Sequence, residues 1–138
     1  MDVSYINNAK DLKVLFEKTL TNNEKMMRTA LSHKPLIYLV GQDYADEYMN
    51  KRREQQILLK SLRFYSQNND KAKHKKYDFY LKEVKQSPKQ ATIDYSLIIW
   101  DDTVAIIDTN SLSGTIIKDT KYSKTMKQWF DIIWDESS

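Results

Sequence analysis

The C-terminal third of the chain constrains the fold most, because three strand patterns follow one another there. They cover residues 93–100, 104–108 and 114–118, and Asp101, Asp102 and Thr103 separate the first two. Continuous or alternating apolar residues on both sides of a short polar turn predict a β-hairpin whose strands are largely buried. A third short strand is predicted from Gly114 onwards.

An amphipathic helix is predicted after these strands, over residues 122–134. Its large apolar side chains recur at helical spacing, and they are Tyr122, Met126, Trp129, Phe130, Ile133 and Trp134. We expect Trp129, Phe130 and Ile133 to be buried against the sheet, so that this helix closes the core.

The N-terminal part of the chain predicts a long amphipathic helix. Asn7 and Asn8 can cap a helix that begins near Ala9. Apolar residues on one face continue the helical pattern to Ala30. Pro35 disfavours helix at the preceding residue, so the helix is expected to end before His33.

A strand, a helix and a second strand are predicted next. Residues 36–40 form a continuous apolar run that indicates a central buried strand, which Gly41 ends. Asp43 can cap a helix that continues to about residue 56, with Tyr44, Tyr48 and Met49 toward the core. Residues 58–64 fit a second strand. This order indicates a parallel βαβ crossover.

Residues 67–76 form a polar, basic break, and the segment after them fits two conformations. Tyr77 and Tyr80 have helical spacing, whereas residues 79–85 fit an extended chain equally well. We expect a helix to about Tyr80 and then an irregular or strand segment to Pro88. The whole pattern predicts one α/β domain over residues 1–138, with a mixed β-sheet flanked by helices.

The composition fits a soluble globular protein and excludes several other classes. Of the 138 residues, 41% are hydrophobic and 30% are charged, and no apolar run approaches the ~20 residues of a membrane-spanning helix. The first residues lack the basic and apolar regions of a signal peptide, so a cytoplasmic protein without membrane contact is expected. The absence of cysteine excludes disulfides and thiol nucleophiles. A net charge of +3 does not by itself indicate nucleic-acid binding.

Four segments give the chain a resemblance to a known family. They are residues 82–85 with Pro88, residues 99–107, residues 114–119, and residues 126–134, which end in a Phe-x-x-x-Trp pattern. In hydrophobic pattern and landmarks, nearly the whole chain resembles the effector domain of TrmB-type archaeal and bacterial transcriptional regulators. The resemblance implies one half of a phospholipase-D-like fold, a small-molecule effector and a role in transcription regulation.

The chain departs from the pattern of that family in two ways. Family members usually carry glycine in the hairpin turn where Asp101 stands, and aspartate adopts a positive φ only at some cost. Family members also normally begin with a winged-helix DNA-binding domain, for which this chain has no room. The resemblance therefore implies a DNA-binding partner protein, or a DNA-binding domain outside this sequence.

Catalysis is not predicted from either histidine. Active phospholipase-D-like enzymes resemble one another in a His-x-Lys pattern that is followed, after four intervening residues, by Asp, with the histidine as nucleophile. His33 is followed directly by Lys34, and His74-x-Lys76 leads to Leu81 where the aspartate is required. Two histidines without cysteine give no convincing zinc site, and the two glycines are too far apart for a phosphate-binding loop. We expect neither a metal nor a cofactor.

A ligand site is predicted beside the first βα unit, where open α/β sheets place their ligands. Tyr48, Arg52, Arg53 and Arg63 lie near its carboxyl end or flanks, and an arginine fork suits a carboxylate, a phosphate or sugar hydroxyls. The alternative is that Arg52 and Arg53 are helix-surface residues paired with nearby acidic side chains.

Two further groups of residues have a functional and a structural interpretation. Trp100 is a ligand candidate, although core packing is the better interpretation of Trp100, Trp129 and Trp134. A basic run could contact the phosphates of a nucleic acid, with a solvated loop as the alternative. The run consists of Lys71, Lys73, Lys75 and Lys76.

The sequence therefore predicts a non-catalytic regulatory domain that senses a ligand or mediates assembly. Two alternatives come from other classes: a degenerate phospholipase-D-like nuclease or hydrolase, and a small nucleic-acid-binding module that uses the basic run. A homodimer is expected, because the chain supplies one half of the implied fold and a two-fold contact would cover its remaining apolar surface. The alternative is a monomer in which the N-terminal helix covers that surface.

Overall fold

The structure, a computed structural model, describes residues 1–32, 36–64, 79–88, 91 and 93–138. Within these ranges the strands are β1 (Asp2–Ile6), β2 (Met26–Leu31), β3 (Leu58–Arg63), β4 (Lys82–Gln86), β5 (Ser96–Trp100), β6 (Thr103–Asp108) and β7 (Ser113–Lys118). The helices are α1 (Ala9–Thr19), a 3₁₀ helix (Leu36–Val40), α2 (Gln42–Glu54) and α3 (Thr120–Asp135).

The seven strands form one open, mixed sheet in the order β1-β7-β6-β5-β2-β3-β4. β3 is parallel to both of its neighbours, β2 and β4, and every other pair of neighbouring strands is antiparallel. β1 and β4 are the edge strands. The prediction of an α/β fold with a mixed sheet flanked by helices is therefore confirmed.

The predicted hairpin is confirmed, and its turn is tight. Trp100 lies opposite Thr103 in the pairing of β5 with β6, so that only Asp101 and Asp102 connect the two strands. Asp101 has a φ of 45°, which is the left-handed conformation that glycine adopts most readily. β7 then pairs with β6 and completes the predicted third strand.

Helix α3 covers one face of the sheet, and only one side of its predicted apolar stripe is buried. Phe130 and Trp134 are each 4% exposed and pack on apolar residues of β2, β3, β5 and β6. The predicted burial of Trp129 and Ile133 is wrong, since they are 60% and 37% exposed. The predicted stripe covers a wider arc than one helix face can bury. The helix therefore contacts the sheet through Phe130, and Trp129 lies at the flank of the stripe.

The opposite face of the sheet is covered by α1, the 3₁₀ helix and α2. α1 begins as predicted, because the side chain of Asn8 caps it by accepting the Asp11 N–H at 2.9 Å. Leu12, Leu15 and Phe16 of this helix belong to the core on this face. Tyr48 of α2 joins the same core, as predicted.

Helix α1 ends at Thr19, and the predicted continuation to Ala30 is wrong because residues 26–31 form β2. The Asn22 side chain stabilises the connecting turn, since it accepts the Lys25 N–H at 3.0 Å and donates to the Met26 carbonyl oxygen at 2.7 Å. The helical stripe that seemed to include Met27 and Ala30 was a coincidence of spacing. In β2 these two residues belong to the cores on opposite faces of the sheet.

The predicted central strand at residues 36–40 is also wrong, because this segment is the 3₁₀ helix. A run of five apolar residues fits a short helix on a core as well as it fits a strand. β2 takes the central place instead, so the predicted parallel crossover links β2 to β3 through the 3₁₀ helix and α2. The residue before α2 is Gly41 and no side chain caps this helix, so Asp43 is not its N-cap.

β4 confirms the extended alternative for residues 82–86. Its last residue, Gln86, exchanges two backbone hydrogen bonds with Ser138, at 2.9 and 3.0 Å. The predicted helix to about Tyr80 falls mostly outside the described residues, and its last two residues, 79 and 80, form a turn. The basic run and both histidines also lie outside the described residues. No helix in the described ranges combines the length and the apolar character that crossing a membrane requires.

Candidate ligand-binding site

A cavity of about 70 Å³ lies between the sheet and the helices that cover β2 and β3. The sheet forms its floor, and α2 with the 3₁₀ helix forms its roof. Its lining is mostly apolar, but several polar side chains share the wall. They are Thr29, Tyr48, Arg52, Ser61, Arg63 and Lys82. We call this space the arginine cavity.

Two of the polar side chains come from one face of α2, because Tyr48 and Arg52 are one helical turn apart. The Tyr48 hydroxyl lies 2.5 Å from Thr19 Oγ1 and 3.3 Å from Met27 Sδ, to which it donates. Burial raises the pKa of Tyr48 to about 12. Tyr48 is therefore a neutral phenol near pH 7.

Arg52 is buried although it carries a charge, with only 1% of the residue exposed. Its Nη1 donates to the carbonyl oxygen of Ile57 at 2.8 Å, and this bond fixes the end of α2 against the start of β3. The interpretation of Arg52 as a surface residue is therefore wrong. Arg53, the next residue of the helix, is exposed, and its guanidinium lies 3.8 Å from the ring centre of Phe79.

Arg63 reaches the arginine cavity from the end of β3. Its Nε donates to Ser61 Oγ at 3.1 Å, and burial lowers its pKa from the usual value of an arginine. Within the described ranges, no carboxylate forms an ion pair with Arg63, and no acidic residue lines the cavity. The buried Thr29 hydroxyl has no hydrogen-bond partner in the same part of the chain. The cavity thus combines the Arg63 guanidinium, which has no ion pair with a described residue, with an unsatisfied hydroxyl.

The structure brings together three of the residues predicted to bind a ligand, namely Tyr48, Arg52 and Arg63. Arg53 lies outside the cavity, and Trp100 is 5% exposed within the core on the face of α1. The four lysines of the basic run lie outside the described residues.

Sequence reasoning missed three residues of the cavity wall: Thr29, Ser61 and Lys82. The first two are small polar residues of neighbouring central strands, each between a basic and an apolar residue, and this local pattern gives no clear signal of a site. Thr29 went unnoticed because its strand was interpreted as helix.

A second, larger cleft of about 870 Å³ lies between β1, β7 and the β5–β6 turn. Trp100 lines it, and its charged residues have both signs: Asp2, Lys18, Glu24, Asp101, Asp102 and Lys118. No cluster of histidine, aspartate and glutamate side chains among the described residues fits a metal ion. This cleft therefore lacks the one-sided charge that distinguishes the arginine cavity.

The whole chain superposes on two solved structures. It shares the fold of NucT and TrmBL2. NucT from Helicobacter pylori matches with a TM-score of 0.70 and 11% identity, over 99% of this chain and 97% of the NucT chain. TrmBL2, an archaeal chromatin protein with a novel mode of DNA binding, matches with a TM-score of 0.63 and 14% identity. The second match covers 100% of this chain but 55% of the TrmBL2 chain, so this chain spans about half of that protein.

At such low identities the likeness concerns the fold alone. The sequence matches no protein-family model and no curated protein. The resemblance to TrmB-type regulators is therefore supported at the level of the fold. Because one fold serves many activities, function has to be argued from the site.

Proposed function

We propose that residues 1–138 form a non-catalytic, ligand-sensing regulatory domain that binds a small anion in the arginine cavity. The domain would act together with a DNA-binding domain or a DNA-binding partner protein. The observation that carries the proposal is the partly buried guanidinium group of Arg63, which forms no ion pair with a described residue and lies on the wall of a small cavity without a described acidic residue.

The Arg63 guanidinium, without an ion pair to a described residue, favours an anionic ligand in this cavity. Removal of a charge from water costs free energy unless a partner compensates it, and the lowered pKa of Arg63 reflects this cost. A carboxylate or phosphate group offsets it, because arginine presents paired N–H donors that match two oxygens of such a group. The unsatisfied hydroxyl of Thr29 supplies a further donor.

The volume of the cavity limits the size of the ligand. A space of about 70 Å³ corresponds to roughly two water molecules. It accommodates a carboxylate, phosphate or sulfate group. The ligand is therefore a small anion, or a larger molecule of which only the anionic group enters the cavity.

Residues around the hairpin turn support a role without catalysis. Neither histidine is followed seven residues later by aspartate. A count back from Asp101, the aspartate of the hairpin turn, places Asp94 and Ser96 at the histidine and lysine positions of the phospholipase-D-like pattern. The Asp101 carboxylate instead accepts the backbone N–H groups of Asn23 and Glu24, which is a structural role.

Thermal unfolding with a panel of anions tests the proposal. The panel contains inorganic phosphate, sulfate, acetate, short dicarboxylates and sugar phosphates, each compared with sodium chloride at equal ionic strength. An anion that binds only the folded state raises Tm. The Arg63→Met variant keeps an apolar side chain of similar length without the guanidinium, and it should lose this increase.

Arg53→Met is the matched control, because it removes the same group from the outer side of α2 and should retain the increase in Tm. The proposal fails if no anion in the panel raises the Tm of the wild-type protein. It also fails if Arg63→Met responds to the anion as strongly as the wild type does.

A nucleic-acid-binding module is a second candidate function, because TrmBL2 shares the fold and binds DNA. Such binding would use the basic run and would weaken steeply with salt. Titration of labelled duplex DNA at two salt concentrations measures it, with all four lysines replaced by glutamine as the control. Hydrolysis of a phosphodiester that is lost in His74→Ala would instead favour a degenerate nuclease or hydrolase.

The regulatory proposal includes a homodimer, because closed two-fold assemblies are the commonest among soluble proteins and match palindromic DNA sites. Light scattering at micromolar concentration measures the mass. A value near twice 16.4 kDa supports the dimer. A value near 16.4 kDa at every concentration argues against it.

A further inference from the structure

The two edges of the sheet differ in how they are protected from pairing with another strand. An edge strand presents unpaired N–H and C=O groups, and charged side chains or a covering segment usually block them. β4 has both kinds of protection. Three of its five residues are charged, and Ser138 occupies the backbone groups of Gln86.

β1, at the other edge, has almost no such protection. Its first four residues are exposed, and Asp2 is its one charged residue. In the part of the chain that the structure describes, no backbone group bonds to the outer edge of this strand. Val3 and Tyr5 are 46% and 66% exposed. This combination is typical of a strand that pairs with a partner strand.

We propose that β1 pairs in antiparallel orientation with β1 of a second copy of this chain, in a register centred on Ser4. This inference rests on the homodimer of the proposed function and assigns its surface. In this register Ser4 lies opposite Ser4 of the second copy, and Val3 lies opposite Tyr5 of the second copy. The two sheets would join into one continuous sheet across a two-fold axis.

The backbone of β1 suits this register whichever of its groups point outward. In an antiparallel pair, alternate residues bond to one neighbour and the residues between them point to the other side. If the backbone N–H and C=O groups of Val3 and Tyr5 point outward, Val3 of each copy bonds to Tyr5 of the other across the axis. If the backbone groups of Asp2, Ser4 and Ile6 point outward, Ser4 bonds to Ser4 of the second copy, and Asp2 bonds to Ile6 of the second copy. Both sets are self-complementary about Ser4.

Side chains and charge favour a second copy as the occupant. A β-branched residue opposite an aromatic residue is a favourable cross-strand pair, and the register forms it twice. The Asp2 carboxylates lie at opposite ends of the paired strands, so they do not repel each other closely. Val3 shares a cross-sheet row with Ile117 and Val104, and Val104 packs under Phe130. The exposed Trp129 and Ile132 of α3 therefore lie on the same side of the sheet and offer further apolar area.

A cysteine cross-link tests the register directly, because the natural chain contains no cysteine. Opposed Cα atoms in an antiparallel pair lie about 4.5–5.5 Å apart, within the range of about 4.4–6.8 Å that a disulfide spans. Ser4→Cys should therefore form a disulfide-linked dimer under mild oxidation. Val3→Cys is the matched control, because its two copies would lie diagonally, about 7–8 Å apart. It should stay mostly uncrosslinked over the same time.

A second test removes the pairing. Val3→Lys combined with Tyr5→Lys places like charges opposite each other across the axis, and both positions are exposed in a single copy. This variant should be a folded monomer by circular dichroism and light scattering. If it does not fold, the cysteine comparison decides.

The outcomes separate this inference from the proposed function. A wild-type dimer that persists in the double lysine variant, or that cross-links no faster through Ser4→Cys than through Val3→Cys, overturns the β1 surface and leaves the homodimer standing. A wild-type monomer at all concentrations overturns both, while anion binding to the arginine cavity stands or falls on its own test.

Discussion

Asp101 and Glu24 exchange hydrogen bonds: the Glu24 N–H donates to the Asp101 carboxylate at 3.0 Å, and the Asp101 N–H donates to the Glu24 carboxylate at 3.1 Å. The Asn23 N–H donates to the same Asp101 carboxylate at 3.0 Å. Glu24 also pairs with Lys127 of α3 at 3.0 Å. One cluster thus connects the hairpin turn, the loop before β2 and α3, which covers the face of the sheet opposite α1.

Asp101→Ala should lower the free energy of unfolding by about 1–3 kcal/mol, because it removes hydrogen bonds to a charged acceptor. Alanine would also keep a φ of 45° that is unfavourable for a residue with a Cβ. Asp101→Gly loses the same bonds without that strain, so it should cost less. Denaturant unfolding of both variants measures the difference. A glycine variant less stable than the alanine variant would contradict this account.

Phe130→Ala should cost about 3–5 kcal/mol, which is typical of a buried aromatic residue. Ile132 is the control on the same helix, because it is 64% exposed. Ile132→Ala should change stability by no more than about 0.5 kcal/mol. A loss below about 1 kcal/mol for Phe130→Ala in urea unfolding would mean that α3 does not close the core.

The sequence predicted those elements whose side chains decide their conformation locally. The β5–β6 hairpin was predicted because apolar runs on both sides of Asp101 and Asp102 fit no helix. The prediction of a strand from Leu36 to Val40 was wrong, because five apolar residues do not distinguish a strand from a short helix. β2 was not predicted, because Met27 and Ala30 fit an extension of the apolar stripe of α1. The role of Asn22 in forming the turn is visible only in the structure.

The candidate site was predictable only in part, since burial depends on long-range packing. Tyr48 and Arg52 could be placed on one helix face from their spacing. The same spacing places Arg53 off that face, but whether the Arg52 guanidinium is buried or reaches solvent is a distinction that the spacing does not make. That distinction follows from the rotation of α2 about its axis, which its packing on the sheet sets. Arg63 lies near Tyr48 and Arg52 because β3, which ends at Arg63, runs parallel to β2 under the same helix.

The stability of the protein should fall as pH rises from about 10 to 12, partly through Tyr48. Burial raises the pKa of Tyr48 from 10.0 to about 12, so the unfolded state releases this proton at lower pH than the folded state does. The contribution of Tyr48 to the free energy of unfolding is complete below pH 10 and is lost as pH rises through the folded pKa. It amounts to on the order of 2–3 kcal/mol. In urea unfolding across this range, Tyr48→Phe should decline less steeply than the wild type, and equal slopes would contradict the assignment.

Arg52→Met should destabilise the protein by about 1–3 kcal/mol, because the Ile57 carbonyl oxygen loses the donor that it has at 2.8 Å. Arg53→Met removes an exposed contact with the Phe79 ring and should cost no more than about 1 kcal/mol. The two variants have the same composition, so the difference between their denaturation midpoints reports position alone. Equal midpoints would contradict the buried role of Arg52.

The pairing of β1 with β7 joins two strands that are far apart in the sequence, since Asp2 lies opposite Lys118. Folds with many such distant contacts form slowly, because loop closure must precede the pairing. During synthesis on the ribosome, β1 emerges long before β7 and has no described strand to pair with until β7 follows. For that interval the least protected strand of the sheet is exposed on both of its edges. Newly made chains are therefore most prone to premature self-association, or to capture by chaperones, before β7 arrives.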